Sequence, residues 1–121
     1  MKILHIEDNE DIAEGGQIYF NNKGHDYSFV LDAKRGLQLI RQNNYDVILL
    51  DLMMPDFSGF DVIDELEKDG LLKTKTIIVF SAKNITKEER KQLLDRGIHS
   101  VLIKPVLLDV LQKKIEMLQI H

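Results

Sequence analysis

The 121-residue chain contains no cysteine, which excludes disulfide bonds, a thiolate metal centre and a thiol nucleophile together and suits a reducing compartment. It also lacks a long apolar run. The opening residues Met1, Lys2, Ile3 and Leu4 give way to Glu7 and Asp8, too short a stretch for a signal peptide or a membrane span; a cytoplasmic location with no membrane partner is expected. A dense basic surface is missing as well. The formal net charge is −4, with Lys and Arg scattered along the chain, which argues against direct nucleic-acid binding. Neither a G-x-G-x-x-G nor a G-x-x-x-x-G-K-[ST] segment follows an apolar run, which removes the common nucleotide-binding readings. With no linker, repeat or low-complexity stretch, residues 1–121 are expected to form one domain that leaves no room for an attached effector.

What is present is the balance of an ordinary globular protein, 44% hydrophobic and 30% charged. That is enough to bury roughly two-thirds of the unfolded surface in one core. Short apolar runs at Ile3 to Ile6, Tyr27 to Leu31, Val47 to Leu50, Ile77 to Phe80 and Val101 to Ile103 are rich in β-branched residues and do not alternate, as expected for strands covered on both faces. A helix-spaced stretch follows each run, the pattern of strand-helix units around a parallel sheet. In the last stretch Leu107, Leu111, Ile115 and Leu118 should share one face. Thr86 and Glu89 stand at capping-box spacing and Gly97 is placed to end the same helix, whose expected apolar anchors are Leu93 and Leu94 with Ile85 just before it. A first helix over Glu10 to Asn22 contains Gly15 and Gly16, at about 1 kcal/mol each relative to alanine, for no reason legible in the sequence.

In an open α/β sheet, chemistry gathers beyond the carboxyl ends of the strands. Those ends carry Glu7 and Asp8, Asp51, Ser81, and Lys104 followed by Pro105. Singly, each has a plain structural explanation, such as an acid favouring the following helix N-terminus. Together, three carboxylates repel one another and raise at least one pKa unless a cation compensates. Lys104 supplies one charge, and a hard divalent ion held by carboxylates, water and phosphate oxygens supplies more. The set therefore points to a magnesium-phosphate site. Asp51, closing the most apolar run, is best placed as a nucleophile toward phosphorus, with the Ser81 hydroxyl and the Lys104 ammonium directed at phosphoryl oxygens. The four histidines are separated in sequence and are expected to play separate structural roles.

These residues resemble the receiver domain of bacterial and archaeal two-component response regulators, in the stand-alone form similar to chemotaxis regulators. Asp51-Leu52-Met53-Met54-Pro55-Asp56-Phe57-Ser58-Gly59 resembles the phosphoacceptor loop, Ile6-Glu7-Asp8-Asn9 the acidic pair, Ser81-Ala82 the hydroxyl position and Lys104-Pro105 the lysine before a cis proline. The resemblance implies a flavodoxin-like, doubly wound α/β fold of five parallel strands in the order 2-1-3-4-5 with five helices. It further implies magnesium bound by Asp8, Asp51 and the backbone carbonyl of Met53, with Glu7 acting mainly through water. The phosphoryl donor would be a sensor histidine kinase or a histidine phosphotransfer protein. A downstream target would meet the surface of the fourth helix, fifth strand and fifth helix. Val101 stands where the family often has an aromatic switch residue, and Met53 and Lys83 occupy positions that tune phosphoryl lifetime.

Two rival readings are a phosphorylation-independent pseudo-receiver of the same fold and an aspartate-nucleophile phosphatase of the haloacid-dehalogenase type. The second typically carries another aspartate two residues after the nucleophile, where this chain has Met53. A phosphoacceptor rather than a turnover enzyme is therefore expected.

Overall fold

The computed structural model describes residues 1–82 and 84–119; Lys83 and His121, both singled out from the sequence, lie outside the described residues. Among those described, five strands, β1 Lys2–Ile6, β2 Asp26–Val30, β3 Val47–Asp51, β4 Ile77–Ser81 and β5 Ser100–Ile103, alternate with α1 Glu10–Asn22, α2 Ala33–Gln42, α3 Gly59–Lys68, α4 Lys87–Arg96 and α5 Leu108–Gln119. All pairings are parallel, in the order β2-β1-β3-β4-β5, as the resemblance implied. No described helix is long and apolar enough to cross a membrane.

The apolar runs at the centre of the sheet account for its layering. β3 (VILLD) and β4 (IIVFS) are buried at every position, because α1 and α5 cover one face while α2, α3 and α4 cover the other. The edge strands differ from the expectation of burial on both faces. In β2 only Tyr27 is fully buried, and in β5 only Val101, since an edge strand lies at the margin of both helical layers.

Helix packing corrects two further expectations and explains a third. Leu107 is 69% exposed: α5 begins at Leu108, so Leu107 lies before the helix and Leu108 packs in its place beside Leu111, Ile115 and Leu118. Leu94, expected to anchor α4 together with Leu93, is exposed, leaving Leu93 as the one buried residue of that helix. Gly16 of α1 has a steric reason, because a Cβ there would sit 2.5 Å from the phenol oxygen of Tyr27. Gly15 has open space around it, and nothing in the structure explains it.

Both ends of α4 are built as the sequence indicates, with a Thr86–Glu89 capping box and Gly97 in the left-handed region at φ 119°. Its other ties are polar: Arg96 meets Asp64 at 2.7 Å and Glu67 at 3.1 Å, exposed contacts worth about 0–1 kcal/mol each. With so little apolar burial, α4 should open more easily than α5, which buries Leu111, Gln112 and Ile115. Amide hydrogen exchange is expected to be faster over Lys87–Arg96 than over the middle of α5; equal protection would show that the caps and ion pairs hold α4 as firmly as a core does.

Candidate functional site

Parallel pairing brings the carboxyl ends of the strands to one edge. The ladders run on past the strands through backbone hydrogen bonds from Glu7 N–H to Val30 O (3.1 Å), Leu52 N–H to Phe80 O (3.0 Å) and Lys104 N–H to Ser81 O (2.9 Å). Asp51 stands beside Phe80, and Ser81 beside Ile103. Glu7, Asp51 and Ser81 therefore stand at the ends of strands buried along almost their whole length, the kind of support that fixes reacting groups, while Lys104 follows the edge strand β5.

Lys104 joins two of the acids. Its Nζ donates to Oδ2 of Asp51 at 2.8 Å and to Oε1 of Glu7 at 3.2 Å. The other oxygens are also held, Oδ1 of Asp51 by the Met53 N–H at 3.0 Å and Oε2 of Glu7 by the Asn9 N–H at 3.4 Å. Asp51 is 2% exposed and Glu7 has no exposed surface, while Asp8 is open to solvent. Carboxylate oxygens of Glu7, Asp8 and Asp51 lie within 4.8 Å of one another.

The electrostatics follow from that crowding. Burial, reinforced by the hydrogen bond and charge of Asp51, pushes the Glu7 carboxyl up to about 7 against the opposing effect of Lys104. Burial disfavours the charged ammonium of Lys104, but its bonds to Asp51 and Glu7 outweigh that and raise its pKa. One ammonium thus leaves negative charge uncompensated, and an all-oxygen donor set open through Asp8 is suited to a hard divalent cation. The carboxyl that is raised is Glu7, the deepest of the three, by burial first and by its neighbour Asp51 second.

Ser81 has the complementary need. Its hydroxyl is buried and has no hydrogen-bond partner among the described residues, a state that costs about 1–3 kcal/mol until a partner arrives. It borders a cleft of about 210 Å³ lined by Met53, Phe60, Ala82, Asn84 and Glu89 among others. A bound group presenting oxygen acceptors would satisfy it.

Three further features shape the loop that follows Asp51. Gly59, at the start of α3, is pressed against the backbone of Asp51 and Leu52 so closely that a Cβ would collide with the Asp51 carbonyl oxygen. Ser58 and Asp61 form a second capping box, with the Ser58 N–H donating to Asp61 at 2.8 Å; the S-x-x-D spacing was the available signal. Asp56 holds a left-handed backbone at φ 63° in the intervening loop, a conformation that Asp tolerates better than most residues.

The three described histidines, His5, His25 and His99, do not converge. His5 Nδ1 meets Tyr27 Oη at 2.5 Å, His25 lies between the amino group of Met1 and Gln112 at 3.1 Å each, and His99 bonds Ser100 at 2.7 Å. Burial, with a further contribution from Lys104, lowers the His5 pKa to about 4.

Comparison with known proteins gives consistent matches. Residues 3–116 match the family model of the response regulator receiver domain. Response regulator ArlR of Staphylococcus saprophyticus is 32% identical over 104 residues, which cover 86% of this chain and 46% of that protein. Transcriptional regulatory protein DltR of Streptococcus agalactiae is 32% identical over 117 residues, 97% of this chain and 51% of that one. The chain spans about half the length of these relatives. Among solved structures, the receiver domain of Francisella response regulator 1452 superposes with a TM-score of 0.86 at 32% identity, covering 97% of this chain and 94% of the other. Response regulator TrrA of Thermotoga maritima, solved in complex with Mg²⁺ and BeF, gives a TM-score of 0.77 at 26% identity over 98% and 99% of the two chains.

Proposed function

This chain belongs to the response regulator receiver family of two-component signalling, and on that premise we propose that residues 1–121 form one phosphoacceptor unit. Asp51 takes a phosphoryl group from a sensor histidine kinase or histidine phosphotransfer protein in the cytoplasm and signals by contact. The observation that carries this reading is the bridge from Lys104 to Asp51 and Glu7 beside the unpartnered Ser81 hydroxyl.

The residues divide the work. A carboxylate oxygen of Asp51 forms the new bond to phosphorus as the bond from phosphorus to the donor atom breaks, and the electron pair leaves with the donor. Met53 N–H and Lys104 orient the Asp51 carboxylate for that approach. Lys104 then faces the transferred oxygens, and Ser81 gains the partner it lacks. Asp8, Asp51 and the Met53 carbonyl would hold magnesium, with Glu7 behind a water; the ion supplies charge neutralisation on the phosphoryl oxygens. Glu7 and Lys104 keep the remaining charge balanced within the buried edge.

Output follows from what the bound group does to Ser81. Drawing the hydroxyl toward phosphoryl oxygens moves the end of β4 and, through it, the thinly anchored α4. Val101 is buried at 2% exposure, β-branched and stiff at its first torsion, so no ring rotation takes part. The exposed side chains of Leu94, Ile103 and Leu107 on the α4-β5-α5 surface offer apolar contact area to a downstream protein.

Magnesium titration followed by amide chemical shifts tests the site. At pH 8, Asp8→Ala should weaken the metal more than Glu7→Ala does, since Asp8 is the open inner ligand. In the unsubstituted chain, Glu7 holds a proton below about pH 7, which removes one negative charge and must be released on binding. Affinity should therefore fall roughly ten-fold from pH 8 to pH 6, and Glu7→Gln should flatten that dependence. Equal affinity at both pH values, or the reverse ranking of the variants, would assign the roles differently. A chain that binds magnesium but never takes up beryllofluoride would fit the pseudo-receiver reading instead.

A further inference from the structure

The anchors of α4 are gathered at one end. Residues 87–92 are all exposed, and the apolar hold on that side is Ile85, half-buried just before the Thr86 cap. At the other end Leu93 is buried in the core, and the chain beyond the helix runs directly into the sheet. Gly97 turns it at φ 119°, Ile98 is buried, and the His99 N–H donates to the Ile77 carbonyl at 2.9 Å.

Arg96 completes that end. Its guanidinium meets Glu67 of α3 side-on, Nε donating to Oε2 at 3.2 Å and Nη2 to Oε1 at 3.1 Å, and Nη2 also reaches Oδ1 of Asp64 at 2.7 Å. A two-pronged contact of this kind fixes orientation as well as distance. It is also the geometry, one arginine shared between two acids, in which a surface ion pair does hold position.

The Thr86 end faces room to move. Asn84, Ile85 and Glu89 line one side of the cleft of about 210 Å³ beside Ser81, and Met53 and Phe60 are also in its lining. Met53 is 66% exposed and Phe60 36%, so closing the cleft would remove apolar surface from water.

We propose that α4 is a lever hinged at its C-terminal end, with Arg96 as the positioning residue that pins it to α3 and the Thr86 end free to swing across the cleft toward Met53 and Phe60. The pin belongs to the resting chain; that a phosphoryl group on Asp51 drives the swing, by drawing Ser81, rests on the function proposed above. A downstream protein would then read a change in the tilt of α4 rather than a shift of the whole helix.

Amide hydrogen exchange of the intact chain, without metal or phosphoryl donor, tests the pin. Amides 94–98 should be roughly ten-fold more protected than amides 90–92, though less than the middle of α5. Arg96→Met keeps an unbranched apolar stem and a good helix former while removing the fork. It should lower protection of amides 94–98 by about five- to ten-fold and leave α5 unchanged. Arg96→Lys should recover only part of the loss, because an ammonium is a point charge without the fork. Magnesium with beryllofluoride then tests the swing: amide shift changes at residues 84–91 should exceed those at 94–98, and in Arg96→Met they should spread into 94–98. Uniform exchange along α4, a gradient unchanged by Arg96→Met, or larger beryllofluoride shifts at 94–98 than at 84–91 would overturn the proposal. A chain that ignores beryllofluoride, yet shows the gradient and loses it in Arg96→Met, would refute the phosphoacceptor function and establish the hinge by itself.

Discussion

Asp51→Asn is expected to reduce labelling by acetyl phosphate and magnesium to background while the chain stays folded. Asparagine has nearly the same shape and can still accept the Met53 N–H bond through its amide oxygen, but an amide does not provide the anionic nucleophile that the transfer needs. Lys104 loses one of its two acidic partners and keeps Glu7 at 3.2 Å, so no buried charge is stranded. Asp51 is also among the causes that push the Glu7 carboxyl up to about 7, and its neutralisation should return Glu7 toward the ordinary carboxylate range. The expected phenotype is therefore lost labelling with unchanged or slightly raised stability, read by intact mass and by urea unfolding. Labelling equal to that of the unsubstituted chain would place the acceptor elsewhere.

Gly59→Ala should cause the largest loss of stability among small substitutions near the site. The added methyl would overlap the carbonyl oxygen of Asp51 and approach Cα of Leu52 to 2.7 Å. Both are backbone atoms at the end of a fully buried strand, so neither can yield as a flexible side chain would. The start of α3 would have to move away from β3, stretching the 3.2 Å bond from Gly59 N–H to Leu52 O. Overpacking of this kind costs about 1–3 kcal/mol and sometimes more; a value near the upper end, about 3 kcal/mol, is expected because the contact is with backbone. Labelling should slow as well, since a displacement of about 1 Å at reacting groups can lower a rate on the order of a hundred-fold. Gly15→Ala is the control. It meets nothing within 4 Å and should stabilise α1 by up to about 1 kcal/mol. A Gly59→Ala protein as stable and as readily labelled as the parent would show that the loop relaxes around the methyl.

The parts of this molecule legible in the sequence are those set by patterns of neighbouring residues. The continuous apolar runs Val47-Ile48-Leu49-Leu50 and Ile77-Ile78-Val79-Phe80 identify buried parallel strands because nothing in them tolerates water. Thr86, Glu89 and Gly97 mark the ends of α4 because caps are local chemistry. Glu7, Asp8, Asp51, Ser81 and Lys104 were found together because a parallel sheet must bring its carboxyl ends to one edge. What escaped depends on distances between segments remote in the chain. The reason for Gly16 lies in Tyr27 of another strand, and the reason for Gly59 in the carbonyl of Asp51. Leu107 and Leu94 have the periodicity of core residues but fall outside the covered surface, one by preceding its helix and the other by facing away from the sheet. The depth of Glu7 relative to Asp8 is likewise a matter of which side of the strand end each side chain takes, and that alternation is invisible where the strand stops.

The most direct test is to locate the phosphoryl group in the unsubstituted chain. After incubation with acetyl phosphate and magnesium, borohydride reduction converts an aspartyl phosphate to homoserine, and peptide mass mapping finds the converted position. The conversion should occur at position 51 alone and disappear when magnesium is chelated. Conversion at Asp8 or at another carboxylate, or conversion at 51 that persists without the metal, would contradict the account.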